Sequence, residues 1–170
     1  MQAGAIVGCF IEEMCMEEYE YSFNVDSVKP FINYCENHGY KKLSKEHQNR
    51  VVYQNHHIPN VIARITKTKD GSKCRTVFDC KKIEQSDKDL KVSKESMEIS
   101  VTSGNKASIL SMLETLGFYV AADNTRTRYV YEKDSVRFEI DEYVSPQMNV
   151  VAIEGQKGAV DKVYAMVRNL

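Results

Sequence analysis

Charged side chains alternate with apolar ones in the stretch RTRYVYEKDSVRFEID, which begins at Arg126. Arg137, Glu139 and Asp141 are each separated by one apolar residue, and Arg126 and Arg128 have the same spacing. Because a β-strand sends successive side chains to opposite faces, this spacing places acidic and basic groups together on one strand face. An ordinary half-buried strand carries small polar groups there, so the pattern predicts a surface that handles a charged ligand.

The same alternation recurs along the chain and predicts further strands. We expect strands over residues 17–25, 61–66, 75–82, 92–101, 125–132, 135–143 and 148–154. Amphipathic patterns predict three helices, over 28–38, 103–116 and 160–167, the first two ending at Gly39 and Gly117. We interpret residues 41–55 as a polar connection with a short apolar run at 51–53, residues 69–72 as a hairpin turn and residues 85–91 as a loop.

Strand, helix and paired strands therefore occur twice, which indicates an internally duplicated α+β domain. If the sheet curls so that its charged faces meet, the result is an antiparallel barrel or tunnel with a polar lumen and helices outside. An unpaired buried charge costs roughly several kcal/mol. Such a lumen must therefore hold water, ions and a charged ligand.

Composition excludes several classes of protein. The 170 residues carry a net charge of −1, which argues against bulk binding of nucleic acid. The five cysteines have no CxxC spacing, and residues 1–15 are too short to span a membrane, so we expect a reduced, cytoplasmic protein without structural zinc. We expect residues 1–15 to be an N-terminal extension, with Met16 as an alternative start, and residues 16–170 to form one domain.

In the order and spacing of these motifs, residues 16–170 resemble the CYTH superfamily, the triphosphate tunnel enzymes. The family begins with ExExK on its first strand, and this chain has Glu18 and Glu20 followed by Ser22 in place of the lysine. The family's RxR strand is present as Arg64 with Thr66 in place of the second arginine.

The remaining motifs are also partly preserved. The lysine of the returning strand falls on Lys81, with Phe78 as an alternative register that would lose it. The family's RxExE strand matches Lys94-x-Ser96-x-Glu98, and its basic pair is intact as Arg126 and Arg128. The acid of the family's next strand is Asp141, and its closing ExE motif is Ala152-x-Glu154, in which one acid is missing.

The resemblance implies an eight-stranded tunnel in which basic residues hold a triphosphate and acids hold Mg²⁺ or Mn²⁺. The implied phosphate-binding residues are Arg64, Lys81, Lys94, Arg126 and Arg128. The implied metal ligands are Glu18, Glu20, Glu154 and Asp141, with Glu18 and Glu20 also catalytic and with Glu98 and Glu139 in support. Triphosphate carries about four negative charges, and arginine offers phosphate oxygens bidentate hydrogen bonds.

Two functions of different class remain open. The first is a metal-dependent hydrolase of tripolyphosphate, thiamine triphosphate or a nucleoside triphosphate, and the second is a non-catalytic module that binds an anionic ligand. An adenylate cyclase is a family alternative. We expect no membrane or nucleic-acid partner and leave a homodimer open. For any single pair, such as Glu18 and Glu20, a solvated strand face is the simpler interpretation, and only the recurrence on five strands favours a site.

Overall fold

A computed structural model describes the backbone of residues 16–170 and the side chains from Tyr19 onward. Our prediction for residues 1–15 therefore lies outside the described residues. The described strands are β1 Met16–Val25, β2 Lys41–Gln54, β3 Val61–Asp70, β4 Lys73–Asp87, β5 Leu90–Glu95, β6 Ile99–Ser100, β7 Tyr119–Lys133, β8 Val136–Ser145 and β9 Met148–Gly155. The described helices are α1 Lys29–Asn37, α2 Lys106–Thr115 and α3 Lys157–Val167.

Eight strands close into an antiparallel barrel. Their order around it is β3-β2-β7-β8-β9-β1-β5-β4, and pairing between β3 and β4 closes the ring. Strand β6 follows β5 in the chain and, like β5, pairs with β4. A bulge separates β5 from β6, and there the N–H of Ser96 donates to the carbonyl of Cys80 and the hydroxyl of Ser96 accepts from the N–H of Cys80. The predicted α+β tunnel fold of about eight strands is confirmed, and the order strand, helix, three barrel strands occurs twice along the chain.

The alternation of side chains decides what lies inside and outside the barrel. On β8, Phe138 and Ile140 point outward and are fully buried beneath the helices, whereas Arg137, Glu139 and Asp141 point into the lumen. Burial of one large apolar side chain contributes about 1.5–3 kcal/mol, so the outer face fixes the register of the strand. The charged residues are therefore held inward by the packing of their apolar neighbours.

Two separate hydrophobic layers cover the barrel from outside. The larger packs α1 and α3 against β7, β8, β9 and β1, with Phe31, Tyr131 and Val160 at its centre. The smaller packs Ile109 and Leu113 of α2 against β3 and β4. In the described part of the chain, no helix is long and apolar enough to cross a bilayer.

Three sequence predictions about elements are corrected. Residues 41–54, predicted as a connection, form the fourteen-residue strand β2, and residues 85–91, predicted as a loop, lie mostly in β4 and β5. The amphipathic pattern of the second helix also predicts that Met112 and Leu116 are buried, but they are about half exposed because α2 covers the barrel with Ile109 and Leu113. Strand β2 has no alternation of apolar and polar residues because it carries polar groups on both faces. Its partner strands are β3 and β7, and β7 is distant from it in the sequence.

Candidate functional site: a charged tunnel

The lumen of the barrel is a cavity of about 430 Å³ to which all eight barrel strands contribute side chains. Its described lining is balanced in charge, with eight basic and eight acidic residues. The basic residues are Arg50, Arg64, Arg75, Lys81, Lys91, Arg126, Arg128 and Arg137. The acidic residues are Glu20, Glu46, Asp79, Glu95, Glu98, Glu139, Asp141 and Glu154. A polyanion that enters must therefore compete with carboxylates for these cations.

Asp141 is the centre of the best-ordered ion-pair cluster. Its two oxygens accept bidentate hydrogen bonds of 2.8 Å from Nε and Nη2 of Arg128, and Oδ2 accepts a further bond of 2.7 Å from Nη1 of Arg126. Arg126 also donates to Oε1 of Gln48 and to the hydroxyl of Tyr143. All of these groups except Tyr143 are buried, so the two guanidinium groups are fixed in orientation.

Glu139 connects this cluster to the next strand. It forms ion pairs with Arg128 and, at 3.3 Å, with Arg137, which also lies 3.2 Å from Glu154. Burial alone would raise the pKa of Glu139, but the guanidinium groups of Arg128, Arg137 and Arg126 lower it to about 2. Glu139 therefore stays ionised and acts as a counter-ion in the lumen.

A second cluster spans β3, β4, β5 and β1. Arg64 donates from Nε to Asp79 at 2.6 Å and from Nη2 to Glu95 at 3.1 Å. Lys81 lies 3.0 Å from Glu95 and 2.8 Å from Glu20. Although burial would lower the pKa of Arg64, Glu95 and Asp79 raise it, so the pair partners keep the guanidinium charged.

Arg50 differs from the other lumen cations. Its Nε donates to Oγ1 of Thr66 at 3.0 Å, but it forms no ion pair with any described carboxylate, whereas the other seven basic residues each do. Burial, and then the guanidinium groups of Arg126 and Arg128, lower the pKa of Arg50 to about 9. At neutral pH Arg50 is thus a half-buried positive charge that forms no ion pair with a described carboxylate, although the charge of Glu139 raises its pKa from a greater distance.

The structure brings most of the predicted site residues together. Those that line the one cavity are Glu20, Arg64, Lys81, Arg126, Arg128, Asp141 and Glu154. Lys81 is buried in the lumen and Phe78 lies in the outer core, so the register that retains the lysine is the observed one. Glu98 is half exposed and pairs with Arg75, whereas Glu139 lies deep in the lumen. The backbone of Glu18 lies in β1 opposite Ser93, but its side chain is outside the described residues.

The prediction for Lys94 is corrected. Lys94 is exposed and does not line the cavity, to which β5 contributes Lys91 and Glu95 instead. The prediction extended the alternation of Ser96 and Glu98 back to Lys94 and so placed Lys94 on the inward face. The bulge at Ser96 shifts the inward face by one residue between β5 and β6, so Lys94 points outward.

Sequence reasoning missed four residues that shape the site, namely Arg50, Gln48, Asp79 and Glu95. The signal for Arg50 and Gln48 was present as the two-residue spacing of Glu46, Gln48 and Arg50, but it lay in a segment interpreted as a connection. Asp79 has the same spacing from Lys81, so alternation along β4 could have revealed it.

The fit of a divalent metal depends on the carboxylates that are close together. The pairing of β1 and β9 places Glu20 directly opposite Glu154, and such cross-strand neighbours have Cβ atoms about 5 Å apart. Mg²⁺ usually takes one or two carboxylates together with phosphate and water oxygens, so this pair fits it where the ion displaces Lys81 from Glu20 and Arg137 from Glu154. Among the described residues no group of three His, Cys, Asp or Glu forms a complete metal cage. Asp141 fits less well because two arginines occupy both of its oxygens.

Comparison with known proteins supports the fold. No family model matches the chain, and no curated protein matches it in sequence. The solved structure of PH1819 from Pyrococcus horikoshii OT3 is similar, with 18% identity, 89% of each chain covered and a TM-score of 0.67. HpAC1 from Hippeastrum, an adenylyl cyclase candidate described as having a dominant triphosphatase activity, has 14% identity over 89% of this chain and 85% of its own, with a TM-score of 0.59.

A third similar structure comes from an assembly. A chain of the Schizosaccharomyces pombe Mediator head module has 10% identity over 91% of this chain and 96% of its own, with a TM-score of 0.65. At such identities the likeness establishes a shared fold. The tunnel fold that the resemblance to the CYTH superfamily predicted is therefore confirmed.

Proposed function

We propose that this chain is a divalent-metal-dependent phosphohydrolase that binds a triphosphate-containing substrate in the tunnel. The observation that carries the proposal is the convergence of four guanidinium groups, those of Arg50, Arg64, Arg126 and Arg128, on one buried cavity. Arginine presents planar, bidentate donors to phosphate oxygens, and these four are held in place by the barrel wall.

The lumen residues take different parts in this proposal. Arg50 binds a phosphoryl group first, because the phosphoryl group does not have to displace a described carboxylate from it. Arg126 and Arg128 are positioned by Asp141, and a neighbouring phosphate competes with Asp141, Glu139 and Gln48 for their N–H groups. Glu20 and Glu154 would hold Mg²⁺ or Mn²⁺, which would neutralise the charge that develops on the phosphoryl oxygens. Glu18 and Glu20, predicted as catalytic, orient the attacking water.

Two observations favour this proposal over a passive barrel. HpAC1, which shares the fold, is described as a triphosphatase. The lumen also holds the half-buried guanidinium of Arg50 without a described ion-pair partner. Partial burial of such a charge is unfavourable, and a bound anion would offset that cost.

The second candidate is a module that binds an anionic ligand without turnover. It is favoured by the ion pairs themselves, because seven of the eight described lumen cations already have a carboxylate partner. The occurrence of the same fold in a chain of the Mediator head module, which is named for an assembly and not for a reaction, agrees with it.

The test is a substrate panel. Release of phosphate from tripolyphosphate, ATP and thiamine triphosphate is measured with Mg²⁺ or Mn²⁺ at neutral and alkaline pH. We expect release from at least one compound, abolished in Glu20→Gln and retained in Glu98→Gln, whose carboxylate pairs at the exposed rim. If all the compounds shift the melting temperature but none is hydrolysed above the level of Glu20→Gln, the binding module replaces the hydrolase.

Several further predictions stay open. Formation of cyclic AMP from ATP in the same panel would indicate an adenylate cyclase. Light scattering tests the homodimer. A cytoplasmic location and the absence of membrane and nucleic-acid partners stay predictions from the sequence.

A further inference from the structure

One part of the tunnel wall carries no charge. Ser22 on β1 pairs directly with Ala152 on β9, and both line the cavity together with Val150. These are positions at which the family resemblance would place a lysine and an acid. We refer to Ser22, Val150 and Ala152 as the neutral wall.

The neutral wall faces the arginines across the lumen. In a closed ring of eight strands, those four places apart lie opposite each other, which sets β1 against β2 and β9 against β3. Arg50 on β2 and Arg64 on β3 therefore line the wall of the cavity opposite the strands that carry Ser22 and Ala152. A ligand on Arg50 that extends across the lumen meets one hydroxyl and two aliphatic side chains, which the carboxylates of Glu139 and Asp141 flank on β8.

This asymmetry discriminates between two kinds of phosphate compound. Inorganic tripolyphosphate is charged along its whole length, so the part that meets Val150 and Ala152 loses water without gaining a donor. Desolvation of an unpaired anionic group is strongly unfavourable. An uncharged organic group gains instead from burial of apolar surface, by about 25 cal/mol for each Å².

We propose that the tunnel selects an organic phosphate ester over inorganic polyphosphate, with the phosphoryl end on Arg50 and the organic group against the neutral wall. This inference rests on the proposed function only for the binding of phosphate in the lumen. It assigns specificity to Ser22, Val150 and Ala152, which are neither phosphate nor metal ligands.

The test compares phenyl triphosphate, whose organic group is uncharged, with inorganic tripolyphosphate. Dissociation constants are measured by calorimetry without added metal, so that neither compound is hydrolysed. We expect the ester to bind about tenfold or more tightly. Ala152→Leu fills the space beside the neutral wall and weakens binding of the ester about tenfold while leaving tripolyphosphate nearly unchanged. Val144→Leu, on the exposed outer face of β8, is the control.

A second variant covers the case in which Ala152→Leu does not fold. Val150→Thr keeps the volume and adds a hydroxyl, so it should lower the preference for the ester at an unchanged melting temperature. Equal affinities for the two compounds, with a ratio that Val150→Thr leaves unchanged, would overturn the inference while the phosphohydrolase stands. If neither compound binds, the inference and the proposed function fail together.

Discussion

At the scale of single residues, the lumen shows how a barrel can hold charges in its interior. A buried ion is costly unless it is paired and hydrogen-bonded, and Arg64, Arg126 and Arg128 each meet this condition through Asp79 or Asp141. Arg50 does not meet it among the described residues. The difference separates residues that build the wall from the residue that is available to a ligand.

Replacement of Arg50 by Gln should therefore affect binding and stability in opposite ways. A charge-assisted hydrogen bond contributes about 1.5–3 kcal/mol, so affinity for tripolyphosphate should fall about 10- to 100-fold. The melting temperature should stay the same or rise, because the variant removes a half-buried charge that has no described ion-pair partner. Calorimetry and thermal unfolding measure the two effects.

Arg75→Gln is the matched control, since Arg75 also lines the lumen but is 58% exposed and pairs with Glu98 at the rim. It should change affinity only a few-fold, as expected of a screened surface charge. Equal losses of affinity in the two variants would mean that Arg50 has no special part in anion binding.

At the scale of elements, the strands with one apolar face were predictable and the strand without one was not. Strands β3 and β8 alternate Ile or Phe with charged residues, and their apolar face is required by the core. Strand β2 carries His47 and Asn49 on its exposed side, so neither period nor composition marks it as a strand. Its existence depends on hydrogen bonding to β7 and β3, which a local pattern does not encode.

The end of β9 gives a testable case of packing between elements. Gly155 has a φ of +142°, and a Cβ atom at this position would lie 2.0 Å from the carbonyl oxygen of Ser135. Gly155→Ala must therefore push β9 away from β8 and displace Glu154. We expect a loss of unfolding free energy of about 1–3 kcal/mol or more, together with weaker metal dependence of any activity.

Gly158→Ala in the first turn of α3 is the control for this substitution. A Cβ there meets no heavy atom within 4 Å, and alanine favours a helix over glycine by about 0.5–1 kcal/mol. It should leave stability unchanged or raise it in denaturant unfolding. A Gly155→Ala protein as stable as the Gly158→Ala protein would contradict the close packing at this strand end.

At the scale of the whole molecule, the sequence predicts the tunnel but not the pairing inside it. Alternation shows that Arg126 and Arg64 face the lumen, and the family resemblance supplies their order around it. It does not show that Gln48 binds Arg126, because these residues are 78 positions apart and meet only when the barrel closes. Nor does it show that the acids and bases of the described lumen balance, which depends on which face every strand turns inward.

This balance makes the stability of the whole barrel depend on acid pH. Glu139 has its pKa lowered from 4.5 to about 2 in the folded protein, against burial, by Arg128, Arg137 and Arg126. A group whose folded pKa is depressed stabilises the fold above its unfolded pKa, and this contribution is lost as the pH falls from about 4.5 toward about 2. The pKa of Glu95 is lowered as well, by Arg64 and Lys81 against burial, so Glu95 acts in the same direction.

Denaturant unfolding from about pH 6 to about pH 2 measures this contribution. Glu139→Gln should be less stable than the natural chain at neutral pH, because Arg128 and Arg137 lose a partner, but its stability should fall less steeply in acid. In Glu98→Gln the unfolding free energy should fall with pH as steeply as in the natural chain, because Glu98 is exposed and pairs with Arg75 at the rim. If all three proteins lose stability in parallel, the lumen carboxylates do not control the acid limb, and the charge balance of the tunnel is not what holds the barrel closed.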